Sequence, residues 1–537
     1  MESRTLAQDV KDTNCGSVER EVPVDEPQVY GKPLGFWARF RYYEDLIDRK
    51  LGIESQSTER VPPEARQLPN QLVMGFMWAS ATMNLSTLVV GFLGNDIGLS
   101  LTQSILITIF ATLLGSAVTV SSLYNPLWSG VQTVAGLDAN KLPVVKGWCA
   151  TLGPGTGLRQ VAISRYSLGF YPSSIIAALN VVAQIGWASI SCITGGLALS
   201  AVSDGSLSSA VGVIIVASIS LGFSFVGLKG VLAYERYAWI LSFVVFMVMY
   251  GEAGPQANLN ALPTVSGSTQ TGVILTLCGI IYGSTASWSS IVSDLYVHYP
   301  VNTSKVKIFC YTTIGITIPT CTGMLLGCCI SSALSNNREW SDAYSNGIGE
   351  LVKVTIYPRG FAKFILVLLV LSGIGMNCIA LYAASISAQL FAKPFQLVPR
   401  TIWTLIVFVC ILLLGIAGRD RLLVVLTNFL SPMGYWNTSF FVILAAEHYL
   451  FRGGNLANYD LDAWNTPAKM PIGVAGLMAY LCGAAGWILG MAQTYYVGAL
   501  AKLIGDRGGD IANELALVFT TISYIPLRKL ELKYIGR

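Results

Sequence analysis

The chain has 537 residues, of which 53% are hydrophobic and only 12% charged. Soluble domains carry about 25% charged residues, so the composition excludes a soluble globular protein and indicates a polytopic membrane protein. A formal net charge of +4 is small for this length and argues against a nucleic-acid partner. The eleven cysteines show no CxxC spacing, and we interpret them as small buried hydrophobic side chains rather than metal ligands.

The two ends of the chain are polar. Residues 1–69 are rich in charged side chains, which predicts a cytosolic N-terminal tail and no cleavable signal peptide. Within this tail, residues 36–51 fit either an amphipathic helix on the membrane surface or a plain solvated helix. We expect a transmembrane domain over residues 70–527 and a cytosolic C-terminal tail over residues 528–537.

Apolar runs long enough to cross a bilayer recur along the whole domain and predict an all-α protein. The twelve predicted spans lie near residues 71–94, 101–123, 173–199, 209–229, 232–251, 271–297, 306–331, 361–390, 399–417, 421–448, 471–494 and 509–527. Most Lys and Arg residues fall on one side of this arrangement, and the first three loops of the opposite side contain none. The positive-inside rule therefore places both termini in the cytosol.

Segment 6, within residues 271–300, has an unusual middle. Residues 283–290 read GSTASWSS, glycine and hydroxyl side chains around one tryptophan, where a lipid-facing helix would carry leucine and valine. Interrupted helices at membrane depth are where secondary transporters build substrate sites, so the pattern predicts a break. The alternative is a helix-packing face, because Gly279 and Gly283 form a GxxxG pair.

Several blocks of sequence together carry a family resemblance. They include YERYAW at residues 234–239, WSSIVSDLYVHYP at 288–300 and EHYLFR at 447–452. From about Gln71 to the C-terminus the chain resembles the fungal purine-cytosine permeases of the nucleobase-cation-symport-1 family. The resemblance implies a leucine-transporter-like fold, with two inverted five-helix repeats, discontinuous segments 1 and 6, and two further helices. It also implies proton-coupled import of purines and cytosine at the plasma membrane.

In this family the substrate lies between segments 1, 3, 6 and 8. The resemblance therefore implies substrate-binding roles for the residues of this chain that match the family's site. Trp187 and Trp288 match the family's substrate-stacking tryptophans, and Ser80 matches a substrate-site serine. Gln184 and Ser191 share one helical face with Trp187. The full predicted substrate site is Ser80, Gln184, Trp187, Ser191, Trp288 and Asn377.

Segment 8 departs from the family pattern. Relatives usually read Asn-Asn-Cys-Pro-Asn where this chain has MNCIA at residues 376–380, which leaves only Asn377, and Ser191 stands where nucleobase permeases commonly have asparagine. An amide offers a donor and an acceptor together, whereas methionine and alanine cannot pair with a base edge. The alternative substrate is therefore pyridoxine or another small nitrogen heterocycle, as in the family's vitamin B6 transporters. A non-transporting sensor on the same fold is a further alternative.

Ion coupling is harder to predict, because no acidic residue falls near the middle of a predicted span. Asp294 is the best acidic candidate for coupling or for a cytosolic gate, and Asn84 is a second candidate for coupling or gating. No HExxH, Walker A or GxSxG motif is present in the sequence, so we expect no enzyme and no catalytic residue. The only expected cofactor is a coupling cation, with the proton favoured over sodium.

Residues 124–150 have no counterpart in relatives and are interpreted as an insertion in a cytosolic loop, either real or an unspliced part of the gene. The expected partners are a small heterocyclic substrate and membrane lipid, and the sequence gives no indication of oligomeric state.

Overall fold

A computed structural model describes residues 39–40, 43, 58–66, 72–120, 149–225 and 227–537. These residues are almost entirely helical, with one isolated β-bridge between Ala492 and Val497. Most of the segment predicted as an insertion, and nearly all of the predicted surface helix at residues 36–51, lie outside the described residues.

Helices occur at all twelve predicted positions. They are α1a Leu72–Thr82 and α1b Leu85–Val90, α2 Leu101–Val120, α3 Ser173–Val202, α4 Ser209–Ser224, α5 Gly227–Ala253, α6a Gly267–Ala286 and α6b Val292–Tyr296, α7 Lys305–Ala333, α8 Arg359–Phe391, α9 Arg400–Gly418, α10 Leu422–Ala446, α11 Val474–Gly490 and α12 Ala512–Ile535. By length and apolar composition alone, six described helices could cross a membrane, and the bent α1 pair would make a seventh. The exact number of spans therefore stays a prediction.

Segment 1 is discontinuous, as predicted, and one side chain organises the break. Asn84 starts α1b as its N-cap, because its Oδ1 accepts the backbone N–H of Thr87 at 3.1 Å. Its Nδ2 donates to the carbonyl of Ala81, in the last turn of α1a, at 2.9 Å. The two half-helices, counting α1b to Asp96, meet at an angle of 57°. The Asn84 side chain thus forms hydrogen bonds to backbone groups that have no partner within the helix at the bend.

Segment 6 is also broken. Helix α6a ends at Ala286, a tight 3-10 turn covers Ser287–Ser290, and α6b follows. Hydroxyl groups along the break donate hydrogen bonds to backbone carbonyls. The Ser287 hydroxyl donates to the Ser284 carbonyl at 3.0 Å, and the Ser290 hydroxyl donates to the Ser287 carbonyl at 2.9 Å. The packing alternative is also correct for Gly283, because its Cα lies directly against the backbone of α10 at Leu430 and Gly434.

The helices surround the two breaks. Helix α8 packs along α3, α6a lies between α2 and α10, and α1a contacts both α5 and α7. Two short helices, Cys149–Thr156 and Gln160–Leu168, precede α3, and the first of them packs on α6b. Two more, Arg338–Ser345 and Ile348–Thr355, connect α7 to α8.

Both predicted tails include residues that belong to the described fold. Part of the N-terminal tail, residues 58–66, packs on the loop before α3, where the N–H of Val61 donates to the carbonyl of Gly157 at 2.9 Å. Arg66 is buried there and donates to Pro154. At the other end, residue 528 lies inside α12, which continues to Ile535. The boundaries between the transmembrane domain and its tails stay predictions.

Candidate functional site

A small cavity lies where the breaks of α1 and α6 face α3, α7 and α8. Its wall includes Asn84, Thr87, Trp187, Trp288, Thr320 and Met376. The cavity measures about 20 Å³, which is enough for one water molecule. Pockets for small ligands measure about 300–1,000 Å³, so a heterocyclic substrate would require the surrounding helices to move apart.

The two predicted stacking tryptophans both line this cavity. The Trp187 indole donates from Nε1 to the Ser287 hydroxyl at 3.3 Å, across from α3 to the break in α6. Trp288 is buried, and its ring meets the edge of Trp78 with ring centroids 5.1 Å apart. These contacts constrain the orientation of each indole, which suits the binding of a flat aromatic ligand.

Gln184 is not part of the wall of this cavity. Its Nε2 donates to Asn180 Oδ1 at 3.2 Å, one turn away on the same helix. Asn180 in turn receives the Ser290 hydroxyl at 2.8 Å and donates to Ser387 of α8 at 2.8 Å. Asn180 therefore joins α3, α6 and α8, and sequence reasoning missed it although it lies four residues before Gln184 on the same face of α3.

The other three predicted substrate contacts point elsewhere in this conformation. The Ser191 hydroxyl donates to the Gly373 carbonyl at 3.2 Å, and Asn377 donates to the Ser220 hydroxyl at 3.2 Å and the Cys192 thiol at 3.5 Å. Ser80 is buried on α1a and faces α5. The neighbour of Asn377, Met376, is the α8 side chain that reaches the cavity.

The candidates for coupling or gating lie in two different places. Asn84 lines the cavity and holds the α1 break together. Asp294 lies on α6b, where its Oδ1 accepts the backbone N–H of Gln160 at 2.6 Å and its own carbonyl accepts Arg159 Nη1 at 2.7 Å. It therefore ties α6b to the loop helices before α3, a position that suits a gate, and its function stays a prediction.

One acidic residue that the sequence analysis did not single out lies in the interior. Glu235 of α5 has 1% exposure and lies against Gly375, at the middle of α8, and beside Ser80. The motif YERYAW contains it, and it falls near the start of the predicted span at residues 232–251. Its burial depends on how α5 packs against α1a and α8, which hydropathy does not report.

Comparison with known proteins identifies the family. A family model described as a permease for cytosine/purines, uracil, thiamine and allantoin matches residues 127–506. The chain belongs to this permease family. The matched range begins inside the segment that we interpreted as an insertion.

Named relatives of this permease cover nearly all of the chain. The purine-cytosine permease fcyB of Emericella nidulans is 31% identical over 492 residues, which are 91% of each chain. The vitamin B6 transporter TPN1 of Saccharomyces cerevisiae is 27% identical over 541 residues, which cover 91% of this chain and 89% of that protein. These relatives are transporters, so the alternative of a non-transporting sensor gains no support from them.

The fold also matches a solved structure. A nucleobase-cation-symport-1 family transporter in a closed conformation with bromovinylhydantoin bound superposes with a TM-score of 0.65 at 14% identity, covering 89% of this chain and 95% of that chain. At this identity the likeness shows the fold alone. It confirms the predicted all-α, leucine-transporter-like fold.

Proposed function

We propose that this permease imports a planar nitrogen heterocycle of the purine and cytosine type by proton symport. The observation that carries the proposal is that Trp187 and Trp288 both line the cavity at the breaks of α1 and α6. The 31% identity to a purine-cytosine permease over 91% of the chain supports the substrate class. We place the protein in the plasma membrane with both termini cytosolic, in accordance with the distribution of Lys and Arg.

A larger cavity supports alternating access. It measures about 480 Å³ and lies between the ends of α1b and α3, the Ile348–Thr355 helix and the turn from α9 to α10. Its wall includes Val89, Leu197, Tyr344, Asn346, Arg419 and Asp420. In the proposed orientation this cavity opens toward the outside. On the opposite side, α6b and the loop helices before α3 are bound together through Asp294. A substrate would enter by the larger cavity and leave after α1a and α6b move.

One specific observation favours the second candidate substrate, pyridoxine. On α8 the side chain at the cavity is Met376, and the amide group of Asn377 is bonded to Ser220 and Cys192 instead. On its α8 side the cavity wall thus offers a thioether where the family's permeases offer an amide to the base. A vitamin B6 transporter is among the relatives, at 27% identity. A smaller pyridine ring with hydroxymethyl arms suits such a wall.

Uptake measurements test both substrates. Fungal cells lacking their own permeases would express the chain and receive radiolabelled adenine, hypoxanthine, cytosine or pyridoxine, with and without a protonophore. Saturable uptake that the protonophore abolishes is the expected result, and its substrate profile decides between the two candidates. Transport of none of the four would contradict the proposed substrate class.

The tryptophan pair gives the matched test of the site. We expect Trp288→Ala to raise the apparent KM about tenfold or more, since tenfold corresponds to about 1.4 kcal/mol and an aromatic contact contributes about 0.5–1.5 kcal/mol beyond the area it buries. Trp403→Ala on α9, whose indole bonds the carbonyl of Phe395, is the control and should leave the KM unchanged. An unchanged KM for Trp288→Ala at normal surface abundance would refute the stacking role.

A further inference from the structure

Glu235 is a buried carboxylate that forms no ion pair with any residue the structure describes. Its side chain is 1% exposed, and neither carboxylate oxygen has a hydrogen-bond partner of good geometry among the described residues. A Cβ atom placed on Gly375 would overlap its Oε1 atom, which shows that the carboxylate lies directly against the backbone of α8. The Ser80 hydroxyl of α1a is its polar neighbour.

Among the described side chains, no positive charge pairs with Glu235. Arg236, the next residue of α5, is exposed and lies over the Tyr237 ring, 5.4 Å from its centroid. The titratable groups that interact with Glu235 are the Tyr234 phenol on the same helix and the Cys378 thiol on α8. Helices α1a and α4 contain no titratable residue, and the lysines of α7, Lys305 and Lys307, are exposed at its first turn. No ion pair to Glu235 forms among the described residues, in contrast to the buried carboxylate of Glu447.

An ionised carboxylate in such a place is strongly disfavoured, because desolvation is not offset by a partner. Binding a proton removes the charge and creates an O–H donor that can reach Ser80. Holding a metal cation would instead need several more oxygen ligands than one serine hydroxyl provides. Of the two candidate coupling cations, the proton and sodium, the side chains around Glu235 therefore favour the proton.

The position of Glu235 connects it to the substrate cavity. Ser80 is followed in α1a by Ala81 and Thr82, which line the cavity, and then by the Asn84 break. Met376, next to Gly375 on α8, also lines the cavity. A change in the charge of Glu235 therefore acts on the two helices, α1a and α8, that hold one wall of the substrate site.

We propose that Glu235 is the residue that binds the coupling proton, and that its protonation closes α1a onto α8 and α5 around the bound substrate. The inference rests on the proton symport proposed above. One proton binds the carboxylate from the outer side with the substrate. When α1a swings away toward the cytosol, water reaches the carboxylate, and the proton leaves to water as the ionised form becomes hydrated.

The test uses purified full-length protein in proteoliposomes with a radiolabelled substrate identified by the uptake assay. Two reactions are compared: accumulation driven by an imposed pH gradient, and exchange with substrate on both sides at equal pH. We expect Glu235→Gln to reduce gradient-driven accumulation at least tenfold while exchange continues near the wild-type rate. Glu252→Gln, at the exposed end of the same helix, is the control and should retain both reactions.

Several results would overturn the assignment. If wild-type protein and Glu235→Gln both accumulate substrate under the gradient, the carrier lies elsewhere while proton symport stands. If wild-type protein itself shows no gradient-driven accumulation, the proposed proton symport fails and this inference with it. Loss of exchange in a Glu235→Gln protein that still binds substrate would mean that Glu235 serves helix movement instead.

A second variant keeps the test valid if Glu235→Gln does not fold. Glu235→Asp retains a titratable carboxylate but withdraws it from Ser80 and Gly375. We expect it to accumulate substrate with a pH dependence displaced from that of the wild type. A pH profile that coincides with the wild-type profile would overturn the proposal.

Discussion

Arg528 of α12 and Glu447, directly after α10, form a bidentate ion pair in the interior. Arg528 Nε lies 2.9 Å from Glu447 Oε2, and Nη2 lies 3.0 Å from Oε1, with both side chains 2% exposed. Arg452 and the Tyr524 hydroxyl complete the shell of the carboxylate, each at 3.0 Å. The pair fastens the last helix to the transporter core, and its hydrogen-bonding groups are matched on both sides.

Removing one member of this pair should destabilise the fold. We expect Arg528→Ala to lower the free energy of unfolding by about 3–5 kcal/mol, because the Glu447 carboxylate would stay buried with its main partner gone. Thermal unfolding of the purified protein in detergent measures the effect. The control is Arg338→Ala, which removes an exposed pair with Asp342 at 3.9 Å and should change stability by less than about 1 kcal/mol. Equal melting temperatures for the two variants would contradict the expectation.

The sequence predicted more of the helix breaks than of the side-chain directions. Glycine and hydroxyl residues in segment 6 indicated the break because a lipid-facing helix would carry leucine and valine at those positions. The burial of Glu235 against Gly375 and the turn of Asn377 toward Ser220 could not be predicted, since both depend on which neighbour each helix face meets. Asn84 was recognised as polar at membrane depth, but its capping role becomes visible only when α1 bends.

The capping role of Asn84 predicts a graded response to substitution. Asn84→Ala removes the acceptor for the Thr87 N–H and the donor to the Ala81 carbonyl, so we expect about 1–2 kcal/mol lower stability and a large loss of uptake. Asn84→Ser keeps an acceptor at the N-cap and should recover most of the stability. Melting temperature and uptake per surface molecule would be measured on both variants. Indistinguishable stabilities of the alanine and serine variants would argue against the cap.

The glycines of segment 6 offer a matched pair of substitutions. A Cβ at Gly283 would collide with the backbone carbonyl of Leu430 on α10, whereas the nearest atom to a Cβ at Gly279 is Asn513 Nδ2 at 3.6 Å. Gly283→Ala should therefore separate α6a from α10 and destabilise the protein by about 1–3 kcal/mol. Gly279→Ala should stay close to wild type. The comparison of surface abundance and melting temperature checks this, and tolerance of both substitutions would show that the close approach is not needed.

Substitution of Met376 tests what determines the substrate. Its Sδ accepts Asn84 Nδ2 at 3.4 Å at the cavity wall, so an amide oxygen at the same position could keep that contact while the amide N–H₂ becomes available to a base. Because one added hydrogen bond contributes about 1 kcal/mol, we expect Met376→Asn to raise the ratio of nucleobase to pyridoxine uptake roughly fivefold to tenfold. Met376→Leu matches the size of methionine without an amide and should leave the ratio unchanged. Competition of each unlabelled compound against the labelled substrate gives the ratio directly. If the asparagine and leucine variants show the same ratio, the polarity of α8 at this position does not select the substrate. Selection must then come from the hydroxyls of Thr87 on α1 and Thr320 on α7, which also line the cavity.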